Sequence, residues 1–349
     1  MRPNGLNRWN AMKTFVGGLS FVVASVIGAS AVVAQQQTAP PPPWAYGFAA
    51  PPPSTPAATP SQQGQRGGGG GAPPDTTPRT LPGSTASFTL AQIRDGFGPA
   101  DWFPGDHPAM PPIVAQGRRD AMITACSLCH YPNGKGRPEN AAVSGLPFSY
   151  IVQAMTDFKS DARKSSDPRK TNTNRMIAFA KAMTDEEIKA AATYFASMKW
   201  TPWIRVVESD DAPKTRIAGG LFVAIEGADA GKEPLGQRII ETPENGETTE
   251  TFRNPRSGFV AYVPKGSVKK GEALATRGQC ALCHGPNLEG LGPVPGIAGR
   301  SPTYMVRQMY DIQHGTRSGV WSELMKRVVA PLSVDDMLNL AAYAASRTP

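Results

Sequence analysis

The chain has 349 residues, a formal net charge of +8, 40% hydrophobic residues, 36 glycines, 35 prolines and four cysteines. That length suits about two domains with cores of their own, which excludes full disorder, collagen and a multi-span membrane protein. Four cysteines are too few for a disulfide-dense scaffold, and no lysine–arginine run with interleaved aromatics points to nucleic acid.

Arg2, Arg8 and Lys13 precede an uncharged, mostly apolar run from Thr14 to Ala34, which ends in Val32-Val33-Ala34. A positive start, an apolar stretch and small residues at a cleavage position predict an export signal over 1–34. If retained, an apolar run of about 20 residues would span a bilayer, so a membrane anchor or association with a membrane complex is the alternative. Either way the body of the protein leaves the cytoplasm, and a periplasmic location is expected. The charge left after those three residues is mild and suits docking of an acidic protein partner.

Residues 35–83 hold Pro40-Pro41-Pro42-Pro43, Pro51-Pro52-Pro53 and Gly67 through Gly71. Proline tracts favour extended backbone and glycine runs are flexible, so this stretch reads as a disordered linker, a spacer without a core.

The rest carries an internal repeat in which all four cysteines take part. Cys126-Ser127-Leu128-Cys129-His130 recurs as Cys280-Ala281-Leu282-Cys283-His284. Cys-x-x-Cys-His is the attachment signature of covalent haem: two thiols on one helical turn each form a thioether with a vinyl group, and the histidine ligates the iron. Zinc pairs are separated by about 15–20 residues, far less than the gap here, and a bare redox dithiol does not explain a histidine after each copy.

Further offsets repeat. Tyr150 and Tyr304 each lie 20 residues after the motif histidine, and Met155 and Met309 follow five later. Met176 and Met325 share a repeat position before the last helix of each copy. Those last helices are signalled by Thr184 with Glu187 and by Ser333 with Asp336, both capping-box patterns. Ile188, Ala191, Ala192 and Phe195 follow helical spacing behind the first, and Met337, Leu340, Ala341 and Ala344 behind the second. Helices are also expected over Tyr150 to Phe158, Ser267 to Thr276 and Tyr304 to Ile312. Met155, Met183, Met309 and Met337 fall on apolar stripes and read as core.

These residues resemble the diheme class I c-type cytochromes, over about residues 115–200 and 266–349. The resemblance implies an all-α fold of two tandem cytochrome c domains at 84–200 and 266–349, holding two covalent haem c groups. It implies that Cys126, Cys129, Cys280 and Cys283 bind the rings, with His130 and Met176 ligating one iron and His284 and Met325 the other. Two features depart from the family pattern: Tyr131 follows the first motif where glycine is usual (Gly285 matches), and Ala141 stands where Pro295 matches a proline whose carbonyl orients the histidine. His107 and His314 recur in neither copy and read as loop or surface residues.

Residues 201–265 belong to neither copy. Arg205-Val206-Val207, Leu221 to Ile225 and Phe259 to Val263 are short strand-like runs, so a small β-rich or irregular insert is expected. The function expected is a single-electron relay between redox protein partners, with no catalytic residues and with haem edges near Cys129 and Cys283 as its two contact points. The alternatives are a diheme peroxidase, which needs one open iron, and a cytochrome subunit of a dehydrogenase or terminal oxidase complex.

Overall fold

Both capping boxes foreseen in the sequence form in the computed structural model, which describes residues 40–49 and 75–349. The Thr184 N–H donates to Glu187 Oε2 at 2.8 Å and Thr184 Oγ1 accepts from the Glu187 N–H at 3.2 Å. Ser333 and Asp336 make the same pair of bonds at 3.0 and 3.1 Å. Each box satisfies amide groups that a helix start would otherwise leave unpaired.

In chain order, α1 (Pro43–Tyr46) comes first, then a helical set of α2 (Leu90–Ile93), α3 (Pro112–Ala115), α4 (Cys126–His130), α5 (Phe148–Lys159), α6 (Thr171–Ala182) and α7 (Asp185–Ala196). The β insert follows: β1 (Ile204–Glu208), β2 (Asp211–Pro213), β3 (Thr215–Ala218), β4 (Leu221–Ala224), β5 (Lys232–Pro234), β6 (Ile240–Pro243), α8 (Gly246–Glu250) and β7 (Phe259–Val263). The second helical set is α9 (Ser267–Arg277), α10 (Ala281–His284), α11 (Pro302–Gln313), α12 (Ser322–Val329) and α13 (Val334–Ser346). The described residues from Pro41 onward form one compact unit.

The helices expected from spacing are present, each slightly longer than its pattern. Among the helices not expected, α6 and α12 carry Met176 and Met325. The insert is β-rich as read. In its three-stranded sheet β7 is central, with β1 parallel to it (Ile204 opposite Phe259) and β6 antiparallel (Ile240 opposite Tyr262). Central β7 is buried almost throughout, which its run of Phe, Val, Ala, Tyr and Val allows.

Each helical set has its own core. Met183, Ile188, Tyr194 and Phe195 anchor the first, with Met155 packed against it; Met305, Tyr310, Met337 and Leu338 anchor the second, with Met309 alongside. The four methionines read as core are therefore core. In the second set α9 lies directly on α13: a Cβ on Gly271 would sit 1.9 Å from the Asn339 carbonyl oxygen, so only glycine allows that approach. The first set has the four-residue α3 and a single 3-10 turn, Arg119–Ala121, in the corresponding stretch.

The two sets meet across a reciprocal seam. An Arg163 guanidinium N–H donates to the Tyr304 hydroxyl at 2.9 Å, and one from Arg317 donates to the Tyr150 hydroxyl at 3.0 Å. Both arginines also donate to Gln308 Oε1, at 2.9 and 2.8 Å. Tyr150 and Tyr304 are repeat equivalents, and so are Arg163 and Arg317, so the repeat is related to itself by an approximate two-fold exchange of partners. Burial alone would raise the Tyr150 phenol, but Arg317, Arg163 and Arg300 outweigh it and hold the group down at about 8.

The expectation that all of 35–83 is a structureless spacer is corrected where the chain is described. Pro43 starts α1, where its missing N–H costs nothing, and Gly47 caps it at φ 80°. Tyr46 is fully buried, its hydroxyl donating to Asp311 Oδ1 at 2.7 Å. The Ala45 carbonyl accepts from Arg307 at 2.6 Å and the Tyr46 carbonyl from Lys170 at 3.1 Å, so this short strap bonds to both sets. Residues 75–83 are also placed, with Arg79 paired to Phe88 and Leu81 buried. The export signal or anchor, and the rest of the linker, lie outside the described residues. Among the described residues no helix is long and apolar enough to cross a membrane.

Candidate haem sites

Each Cys-x-x-Cys-His motif folds as one short helical turn, α4 and, with Cys280 as its N-cap, α10, which puts the two cysteines and the histidine at positions i, i+3 and i+4. The cysteines are unpaired. Burial raises the Cys126 thiol to about 12 and also raises Cys280.

The two histidines are anchored identically. His130 Nδ1 lies 2.8 Å from the Ala141 carbonyl oxygen, and His284 Nδ1 lies 2.8 Å from the Pro295 carbonyl oxygen. A carbonyl can only accept, so Nδ1 carries the proton and Nε2 keeps its lone pair. This is the tautomer a metal-ligating imidazole needs, and the bond fixes the ring's orientation. Burial pushes both imidazoles below their ordinary range, keeping them neutral, while each carbonyl bond pulls the other way. The departure at Ala141 is thereby resolved: the acceptor is a backbone atom, which alanine offers as well as proline.

The departure at Tyr131 is real and strained. Tyr131 has φ 63° and ψ 156°, and Gly285 has φ 84° and ψ 159°. That region is essentially reserved for glycine, and a side chain there costs about 1–3 kcal/mol. The ring is 1% exposed, so burial holds the residue in place.

Met176 lies in α6 and Met325 in α12, each eight residues before the capping hydroxyl of the last helix. Both are half-buried, and neither belongs to the apolar clusters that absorb the other repeat methionines. Exposed apolar side chains gather on the segments that carry the second set of residues: Leu282 and Leu291 around His284, and Val320, Leu324 and Val328 around Met325. A large apolar disc such as haem fits this chemistry: two thiols, one oriented neutral imidazole, a thioether and apolar walls.

His314 stacks on Tyr310 with ring centres 3.9 Å apart, at the exposed end of α11. His107 differs from its surface reading: its side chain is 4% exposed, bonded to Asp101 at 3.2 Å and set edge-on to Tyr194. Among the described residues no cluster of His, Cys, Asp and Glu forms a further metal site.

Sequence reasoning missed the loop 252–257, which joins α8 to β7 and lies over the first motif. The Arg253 guanidinium donates to the Leu128 carbonyl and sits over the Tyr131 ring, 5.6 Å from its centre. The Asn133 amide donates to the Pro255 carbonyl at 2.7 Å. Arg256 forms a two-bond ion pair with Asp106, both at 2.7 Å, and the Trp102 indole N–H donates to the Phe252 carbonyl at 2.7 Å. No local motif announces these contacts.

Residues 114–199 match the cytochrome c family. The chain is 34% identical over 234 residues to cytochrome c4 of Pseudomonas aeruginosa, covering 66% of this chain and 86% of that one. It is 25% identical over 237 residues to the thiosulfate dehydrogenase electron acceptor of Stutzerimonas stutzeri, covering 67% of this chain and 84% of that one. Among solved structures, thiosulfate dehydrogenase (TsdBA) of Marichromatium purpuratum aligns at 22% identity and a TM-score of 0.43, covering 67% of this chain and 39% of that one. The chain belongs to the class I c-type cytochromes. Within that class it is of the diheme-like, electron-transferring type, with covalently held haem c.

Proposed function

We propose that this chain is a tandem pair of cytochrome c domains, at 84–200 and 266–349 around an insert at 201–265, which holds two haems and relays single electrons outside the cytoplasm. The observation that carries the reading is the duplicated anchor, a Cys-x-x-Cys-His turn whose histidine gives Nδ1–H to a backbone carbonyl 11 residues on, in both copies. Cys126 and Cys129 hold one ring and Cys280 and Cys283 the other. His130 and His284 would ligate the irons through Nε2, and Met176 and Met325 would ligate them through their thioether sulfurs. When bound, haem supplies an iron that takes up and gives back one electron, and neutral thioether ligation raises its potential.

The protein's own work is to orient and exclude. The carbonyls of Ala141 and Pro295 fix the imidazole planes, and the seam of Arg163, Arg317, Tyr150 and Tyr304 holds the two domains in one register. If His130 with Met176, and His284 with Met325, both ligate iron, no iron site would remain for a substrate, which would separate a relay from a peroxidase. A role as electron acceptor of a dehydrogenase is a second reading, favoured by the 25% identity to the thiosulfate dehydrogenase electron acceptor over most of both chains.

Absorption spectra of the purified haem-loaded chain, oxidised and reduced, with and without cyanide or carbon monoxide, test this. Two low-spin haems that refuse both ligands are expected. Met176→Ala and Met325→Ala should each admit cyanide at one haem only. A wild-type haem that is high-spin or binds ligand readily refutes the relay and supports the peroxidase.

A further inference from the structure

The two attachment turns are the same in sequence pattern and opposite in surroundings. Leu128 and Leu282 are repeat equivalents between the cysteines. Leu128 is half-buried and its carbonyl accepts from Arg253, whereas Leu282 is 70% exposed. Cys129 is half-buried and Cys283 exposed. Asn133 and Asn287 are likewise equivalent: the first donates to Pro255 in the insert, and the second is exposed. The pair Tyr131 and Gly285 completes the contrast, since the Tyr131 ring gives Arg253 a surface to cover. Arg253 itself sits at φ 55°, a conformation that a non-glycine residue adopts only when its surroundings hold it.

We propose that loop 252–257 of the insert is a fixed cap over the first Cys-x-x-Cys-His turn, so that external one-electron reagents reach this chain at the second turn alone. The proposal rests on the two-haem reading above. It assigns the insert a role, shielding one of two otherwise equivalent contact points, and it makes Arg253 a positioning residue for the cap. It also replaces the expectation of two exposed contact points, near Cys129 and Cys283, with one.

Two experiments on the full haem-loaded chain test it. The first adds a neutral gadolinium chelate to the reduced, diamagnetic protein and reads relaxation of assigned amides. Amides of 281–288 should relax several-fold faster than those of 127–134. Arg253→Ala, or Asn133→Ala should that variant fail to fold, should raise the 127–134 rates toward those of 281–288 and leave the latter unchanged. Equal rates in the two wild-type turns, or no change in either variant, overturn the cap.

The second experiment follows reduction by Fe(II)–EDTA, an anion that gives up one electron per haem and becomes Fe(III)–EDTA. Leu282→Glu should slow the whole absorbance change several-fold at low salt, and Leu282→Lys should speed it, because charge at the contact point steers the reagent. Half of the amplitude persisting at the wild-type rate means direct access at the first turn, which refutes the proposal. Haem content separates this from failure of the underlying reading. Fewer than two haems per chain by the alkaline pyridine spectrum refutes the two-haem reading, whereas two haems with equal access refutes only the cap.

Discussion

The two helical sets use one pattern for ligation and two different solutions for everything around it. In the second, full-length α9 crosses α13 at Gly271, the strap and the insert add to its core, and its motif turn faces outward. The first lacks that helix and borrows instead from residues 75–107 and from the insert, through Trp102, Asp106, Arg253 and Arg256. Ligand chemistry constrains a few atoms tightly, so the Nδ1–carbonyl bond is 2.8 Å in both sets. It constrains the covering layer hardly at all, so that layer diverges.

The largest effect expected from probing this comparison is at the helix crossing that only the second set has. Gly271→Ala would drive a methyl into the Asn339 carbonyl, 1.9 Å away, and neither helix backbone can yield cheaply. We expect a loss of about 3 kcal/mol, at the upper end of overpacking costs. Thermal melts followed at the haem absorption should show the second haem's environment lost first. A single transition with wild-type midpoint would mean that the crossing contributes nothing to the difference between the sets.

The next effect lies where the insert grips the second set. Glu241, on β6, is 1% exposed and accepts from Ser301 Oγ at 2.8 Å and from the Thr303 N–H at 3.2 Å. The first set has no counterpart, because Pro147 starts α5 without a side-chain cap. Burial raises the Glu241 carboxyl from 4.5 to about 7, against the pull of Thr303 and Ser301. A raised carboxyl binds its proton more tightly folded than unfolded. Its contribution is therefore favourable below pH 4.5 and is lost as pH climbs toward 7. Glu241→Gln should remove that decline, leaving denaturation midpoints flatter across the interval and higher at neutral pH. An unchanged slope would show that the carboxylate is compensated by groups other than these.

Much of this was legible. Fixed offsets exposed the repeat, capping boxes marked α7 and α13, and Phe259 to Val263 is strand β7 as read. The missed helices have different physical causes. Helix α6 mixes Thr and Asn with its apolar residues and shows no clean apolar stripe, whereas α12 has one, Leu324, Met325, Val328 and Val329, but runs for only eight residues. The strap at Pro43–Tyr46 is held by groups far along the chain, Asp311, Arg307 and Lys170, and proline-rich composition describes only its unbound tendency. The cap is held in the same way: Arg253 and Leu128 are 125 residues apart, and nothing near either announces the other.

A subtler probe exchanges Tyr131, which stands where the second copy has Gly285. Tyr131→Gly relieves backbone strain of about 1–3 kcal/mol, but it gives up a buried ring, whose removal costs about 3–5 kcal/mol. The net expectation is a loss of about 2 kcal/mol, together with a looser cap and faster relaxation at 127–134. Gly285→Ala imposes only the strain, since its Cβ would meet the Gly290 oxygen at 2.9 Å. If Tyr131→Gly instead stabilises the chain, the ring is not what holds the first turn closed.

The smallest effect separates two equivalent carboxylates. Asp157 in α5 accepts from Gln153 on its own helix at 2.7 Å, while Asp311 in α11 accepts from the strap's Tyr46 at 2.7 Å and from the Ser166 N–H at 2.8 Å. The first bond is local and survives any separation of the sets. The second pair requires the strap and both sets together. Tyr46→Phe keeps the ring in its buried site and removes one donor to a charged acceptor, a loss of about 1–2 kcal/mol. Gln153→Ala should cost less, because Gln153 is itself half-buried and water can partly replace its amide as donor to Asp157. Denaturant midpoints of the two variants decide it. A Tyr46→Phe loss no greater than that of Gln153→Ala would mean that the strap rests on the seam without fastening it.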